Sequence, residues 1–314
     1  MNKKDIFYQD KEASNVPPTH IIDGVMESPL KEIDDLFGAA DVLSIQNAEK
    51  HRRILLALSA AGTLLTLAFL LYDEAELHGL IIACGVMILC IFSIQHIADK
   101  LSCHRKYLEY RVLAECLRCQ FFLSFAGAKA RVRELLPWSV RMGIPWISEV
   151  LLSIPDVAVP EKHSILDVWI IDQKQYHKKT LESTMIKNHR DGHIAKVVLT
   201  ITISTYIAAL LYELIIYSKA SGLGNPDLIR ALLKVVLGTM SAVTLFMGSY
   251  YGKMSLSNVI SDKKRMIALY ETAEKEISEK GESEELLAFL AREFLNENST
   301  WYAYQSKNSP DIVI

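Results

Sequence analysis

Few side chains in this sequence combine the type and the spacing that chemistry needs, and the first that do are thiols. Cys116 and Cys119 form a CxxC, the spacing used by zinc sites and by dithiol redox centres. The pair lies in ECLRCQFF, a helical pattern without a second CxxC, and the nearest histidine, His104, is twelve residues upstream. Helix packing is the expected role, and no metal site is expected. His163, His177, His189 and His193 share one polar stretch with Glu161, Asp167 and Asp172, but no HExxH occurs among them, so a zinc hydrolase is not indicated. GxGxxG, GxxxxGK[ST] and GxSxG are all absent. Without those loops there is neither a phosphate cradle nor a nucleophile elbow. No catalytic residue is assigned, and the chain is expected not to be an enzyme and to need no cofactor.

A second set of candidates lies inside an apolar run, VVLTITISTYIAALLYELIIY. A polar group facing lipid is costly, so such groups turn toward protein or water. At about 100° per residue, Thr202, Thr205, Tyr206, Ala209 and Glu213 fall within about a third of a turn. Two readings stand. Thr202, Thr205, Tyr206 and Glu213 line a wettable pore, or the stripe packs against another helix while Glu213 snorkels to the interface. A further run, 231–252, carries the small-residue pairs Gly238/Ala242 and Gly248/Gly252, the spacing that allows two helices close contact.

The elements that must hold these residues are four apolar runs, at about 54–72, 79–98, 197–217 and 231–252. A spanning helix needs about 20 predominantly apolar residues. The second run contains no Asp, Glu, Lys or Arg, any one of which would cost about 2.5–3.5 kcal/mol at mid-membrane. The sequence therefore predicts an all-α integral membrane protein with four transmembrane helices in two hairpins. Whole-chain averages hide this: mean hydropathy is only +0.17, because charged segments surround the runs. The net charge of −3 does not point to a nucleic-acid surface.

Orientation follows from the flanking cations. Lys50, Arg52 and Arg53 precede the first run, Lys100, Arg105, Lys106 and Arg111 follow the second, and the DEAELH loop between them has none. The second hairpin shows the same bias less cleanly, since its SKASGLGNPDLIR turn holds Lys219 and Arg230. Both termini are predicted cytoplasmic. The five cysteines form no paired extracellular framework, so free thiols are expected. MNKKDIFYQD has no apolar core behind its lysines and is not a cleavable signal.

Each hairpin leads into a charged helical segment, forming a cytosolic helical stem. After the second run, Tyr107, Tyr110, Leu113, Ala114, Leu117 and Phe121 predict one apolar stripe. After the fourth, Val259, Met266, Leu269, Tyr270, Ala273 and Ile277 do the same until Gly281 interrupts. The domain plan is then a polar, partly disordered segment at 1–35 and a first hairpin with its helix at 36–135. A Pro/Trp-rich connection at 136–163 follows, then a helix, second hairpin and helix at 164–280, and a C-terminal helix and tail at 281–314. Four prolines between 137 and 160 forbid one continuous helix there. A restart is expected at Ser164, with Asp167 in the first turn.

The order of these elements, with the phrases KYLEYRVLAECLRCQFF, DVWIIDQKQYHKKT and EFLNENSTWYAY, resembles the four-span modules of bacterial SLOG-associated membrane proteins, which are related to the SLATT effectors. The likeness covers about residues 36–305. It implies a homo-oligomer in the bacterial inner membrane that serves antiviral defence by permeabilising or depolarising that membrane. It also implies gating by a nucleotide second messenger or a sensor protein. The relatives often carry an N-terminal nucleotide-sensing domain, for which the residues before the first run leave no room, so no ligand-binding residue is carried over. The alternative is a non-conducting scaffold that recruits a soluble partner through its cytosolic helices.

Overall fold

The apolar recurrence at three and four residues folds, in the computed structural model, into helices, with no strand among the described residues. The structure describes residues 2–22, 28–74, 77–154, 163–217, 226–254 and 256–307, apart from the side chains at 28, 29, 213, 215–217, 226, 245, 247–254 and 307. The long helices are α1 (Lys3–Ala13), α2 (Ser28–Glu74), α3 (Leu80–Leu101) and α4 (Cys103–Phe125). Three short ones follow, α5 (Val132–Leu135), α6 (Trp138–Gly143) and α7 (Pro145–Ser153). A π-helical turn (Leu166–Ile171) opens α8 (Asp172–Tyr217), and α9 (Pro226–Met254), α10 (Leu256–Lys280) and α11 (Glu284–Lys307) complete the chain. The protein divides into two units. One comprises Met1–Lys50, Ser102–Glu182 and Val259–Ile314, and the other His51–Leu101 and Ser183–Asn258.

In the first unit α4 is the central element. The sequence predicts a one-sided stripe on it; instead Val112, Cys116, Cys119 and Phe122 are buried alongside Leu113, Ala114, Leu117 and Phe121. Burial on nearly all sides comes from neighbours distant in sequence. Helix α11 runs along α4 with Leu287, Leu290, Ala291 and Leu295 buried, and Phe122 stacks on Trp169 at 4.8 Å. Helix α4 ends in a Schellman arrangement, in which Ala128 N–H donates to Leu123 O and Gly127 N–H to Ser124 O. Gly127 takes the positive φ of 68° that this ending needs.

The opening segment contributes core. Helix α1 begins at Asn2, whose side chain accepts from Lys4 N–H, and Phe7 is fully buried against the rings of Tyr110 and Trp146 at 5.6 and 5.9 Å. Polar contacts fix its register. Asp10 accepts from Lys106 Nζ at 2.7 Å and Tyr110 OH at 2.5 Å, and the buried Glu109 accepts from Lys3 Nζ at 2.7 Å and Trp146 Nε1 at 2.9 Å. The following residues strap onto α2, where Asp34 accepts from Ile21 N–H at 2.7 Å and meets His20 Nδ1 at 2.6 Å. The strap lies so close that a Cβ on Gly38 would stand 2.1 Å from Thr19 O.

The described part of the Pro/Trp-rich connection is largely helical, because Pro137 and Pro145 sit at helix starts. Pro145 occupies the first turn of α7, where a missing N–H costs nothing. Residues 155–162 of that connection lie outside the described residues. The cap position of the turn is Ile165 and not the expected Ser164; Ser164 Oγ accepts from Leu166 N–H at 3.3 Å, and Glu282 takes both Ser164 Oγ at 2.6 Å and Ile165 N–H at 3.0 Å. Gly281, between α10 and α11, has φ 75° and donates to Ile277 O at 2.8 Å, closing α10 in the left-handed cap that glycine favours.

The second unit is built from the apolar parts of α2, α3, α8 and α9. Three helical stretches, Leu30–Glu74, Leu80–Phe125 and Leu166–Tyr212, are long and apolar enough to cross a membrane, and only 6%, 6% and 0% of their most apolar windows is buried. Large apolar side chains point outward, among them Ile82, Leu89, Leu64 and Leu210. So large an outward apolar surface is consistent with a membrane protein.

Candidate functional site

The predicted stripe on α8 is split by the structure. Thr202, Thr205 and Ala209 are half-buried, while Tyr206 is 62% exposed on the apolar exterior. Thr202 Oγ1 donates to Val198 O at 2.9 Å and lies 3.3 Å from Thr244 Oγ1 of α9. Thr205 Oγ1 donates to Ile201 O at 2.9 Å. Each hydroxyl thus finds a carbonyl one turn back, which lets it sit in an apolar setting without an orphaned donor. The Thr202–Thr244 contact ties α8 to α9. Glu213, Gly248 and Gly252 lie outside the residues whose side chains are described.

The small-residue pair of α9 serves close packing at one of its members. A Cβ on Gly238 would come within 2.6 Å of Leu70 Cδ1 on α2, and Ala242, one turn on, is half-buried. Nearer the loops, Lys234 Nζ meets Glu74 Oε1 at 3.0 Å, so the same two helices also share an ion pair.

In the first unit, both thiols of the CxxC are sealed in the core, Cys116 and Cys119 being 1% and 3% exposed. Burial pushes both pKa values up, the state of an unreactive thiol. His189 and His193 stand one turn apart on α8 and both are exposed. Among the described residues no group of three or more His, Cys, Asp or Glu is placed to hold a metal ion.

The most concentrated polar constellation was not foreseen from the sequence. Along the one less-buried side of α4, Arg111 Nη1 meets Asp41 of α2 at 3.1 Å and its Nη2 meets Glu115 at 2.6 Å. Arg118 Nη1 approaches Glu115 at 2.8 Å and lies 5.0 Å over the Phe37 ring. Burial works against the Glu115 carboxylate, but the two guanidinium groups outweigh it and hold its pKa below the ordinary value. His177 of α8 stacks on Tyr270 of α10 at 5.6 Å. Burial first, and then the Lys263 ammonium, press its pKa down to about 4 against the opposing pull of Glu115. Lys263 itself has a lowered pKa, from burial and from Arg111. The available signal was the spacing of Arg111, Glu115 and Arg118 at four and three residues on an otherwise apolar helix. The partners on α2, α8 and α10 carried no such mark.

Both thiols of the CxxC are closed to solvent. What the arrangement offers is helix packing in an apolar surround in one unit and a charge cluster of unequal sign in the other. No family model, curated protein or solved structure matches this chain.

Proposed function

We propose that this chain is a multi-pass protein of the bacterial inner membrane in which α9 supplies a fourth span and both termini face the cytoplasm. In this reading it is not an enzyme but a membrane effector of a defence system. It self-associates and permeabilises or depolarises the bilayer, under control of a nucleotide-type signal or a sensor protein acting on the first unit. The observation that carries the membrane part is the outward-facing apolar surface of the long helices, 0% of the most apolar window being buried on α8. The effector part rests on the likeness of YRVLAECLR, WIIDQKQY and the order of spans to the SLATT-related modules.

A second reading, a non-conducting scaffold that recruits a soluble partner, is favoured by the use of Thr202 to hold α8 against Thr244 of the same chain. Reconstitution separates the two. Purified full-length protein in liposomes, with and without cyclic nucleotides, should release trapped ions or dye, and expression should depolarise cells. Absence of leak in every condition, with toxicity that survives Thr202→Leu, would leave the scaffold.

A further inference from the structure

Ahead of its apolar run, α8 passes through NHRDGH at 188–193, a poor sequence for a helix. Asn, His and Asp rank in the lower half of helix propensity, and a glycine costs about 1 kcal/mol relative to alanine. Packing does not make up the deficit. From Met185 to Val197 every residue except Asp191 and Ala195 is exposed or faces open space, and a Cβ on Gly192 would meet nothing within 4 Å. Helical order in a short stretch with neither propensity nor cover needs another source.

Its two histidines supply one. His189 and His193 are four residues apart on a helix, so both rings lie on one face, with Cβ atoms about 5–6 Å apart. That separation lets a nitrogen of each imidazole stand at about 2.0–2.1 Å from a single ion, and it is the spacing of the paired ligands in a helical HExxH. Both rings are exposed, and among the described residues neither has a hydrogen bond, ion pair or ring contact. Asp191 lies on the opposite side of the helix and pairs with Arg190 at 3.2 Å. One turn away on the histidine face stand Met185, Ile186, Lys196 and Val197, none of them a carboxylate, so the site does not suit Mg²⁺ or Ca²⁺. Lys196 is exposed, and its flexible stem lets the ammonium turn away. Two neutral imidazoles select a borderline divalent ion, with water in the remaining positions. We propose that His189 and His193 form a two-imidazole clamp for such an ion, Zn²⁺ or Cu²⁺, and that the bound ion holds this part of α8 helical. Only a helical backbone brings both rings to one ion, so binding and local order are coupled. The clamp is independent of whether the chain conducts, and absence of membrane leak leaves it standing.

The full-length chain, free of any polyhistidine tag, is placed in phosphatidylcholine nanodiscs and titrated with Zn²⁺ or with Mg²⁺. Zn²⁺ should bind saturably and slow amide hydrogen exchange across residues 184–197 while leaving α11 unchanged, and Mg²⁺ should do neither. His189→Ala and His193→Ala should each weaken Zn²⁺ binding by roughly tenfold or more and abolish the added protection. Both side chains are exposed and unpacked, so neither change threatens the fold. His78→Ala, at an exposed histidine between α2 and α3, should leave binding and protection as they are. No saturable Zn²⁺ binding, or undiminished binding in both His189→Ala and His193→Ala, overturns the clamp. Zn²⁺ binding that leaves exchange across 184–197 unchanged overturns the ion's hold on the helix.

Discussion

Phe7 and His177 show how far a single side chain sets the behaviour of the first unit. Phe7 fills a slot between Tyr110 and Trp146, so Phe7→Ala should cost about 3–5 kcal/mol, measured as a lower midpoint of tryptophan-monitored unfolding. His177 links stability to pH. Its folded pKa is about 4 against an ordinary 6.5, so above pH 6.5 the ring is neutral in both states and its contribution is fully present. As pH falls from about 6.5 to about 4, the unfolded chain takes up a proton that the folded chain refuses, and stability drops by up to about 3 kcal/mol. His177→Phe keeps a ring against Tyr270 and should flatten that part of the profile; an unchanged slope in unfolding measured across the window would contradict it. At this scale the sequence was legible only where neighbours are local. The helical context of Cys116 and Cys119 was readable, and both lie in the core. The Arg111–Asp41 pair joins residues 70 positions apart, and no spacing rule reaches that far.

Among the elements, α9 is held to α2 by a steric fit and α4 is enclosed by whatever lies around it. The room at Gly238 is set by the far end of the Leu70 side chain, which can swing. Gly238→Ala should therefore be mild, while Gly238→Leu should overpack the contact by about 1–3 kcal/mol, seen as faster proteolysis of the second unit in detergent. The apolar runs were plain in the sequence because length and absence of charge are properties of the segment alone. Small residues on α9 were likewise legible, and at Gly238 the Leu70 side chain lies where a Cβ would stand. The burial of α4 was not, since whether a helix exposes one face depends on α1 and α11, whose docking residues lie about 100 positions before it and about 200 positions after it. The same holds for the strap over Gly38. A polar, proline-containing segment reads as loose until its partner carboxylate, Asp34, is located.

At the scale of the molecule, the outward-facing side chains of the second unit, Ile82 at 72% and Leu89 at 68% exposure among them, fit the proposed place in a bilayer. The expressed chain should stay with the membrane pellet through alkaline carbonate and high salt, and should leave it only with detergent. Recovery in the soluble fraction would refute the membrane assignment. The first unit has a different consequence, which follows from the interleaving of its three pieces with the pieces of the second. Its last piece contains α11, whose Leu290, Ala291 and Leu295 are buried along α4. A ribosome releases α4 long before it has made α11. For that interval the aromatic and aliphatic side chains of α4 lack their final cover, and such surface invites aggregation or chaperone capture. Completion of the first unit is thus tied to arrival of the C-terminal end, and chains that stop early are left with an exposed core that cellular quality control can recognise.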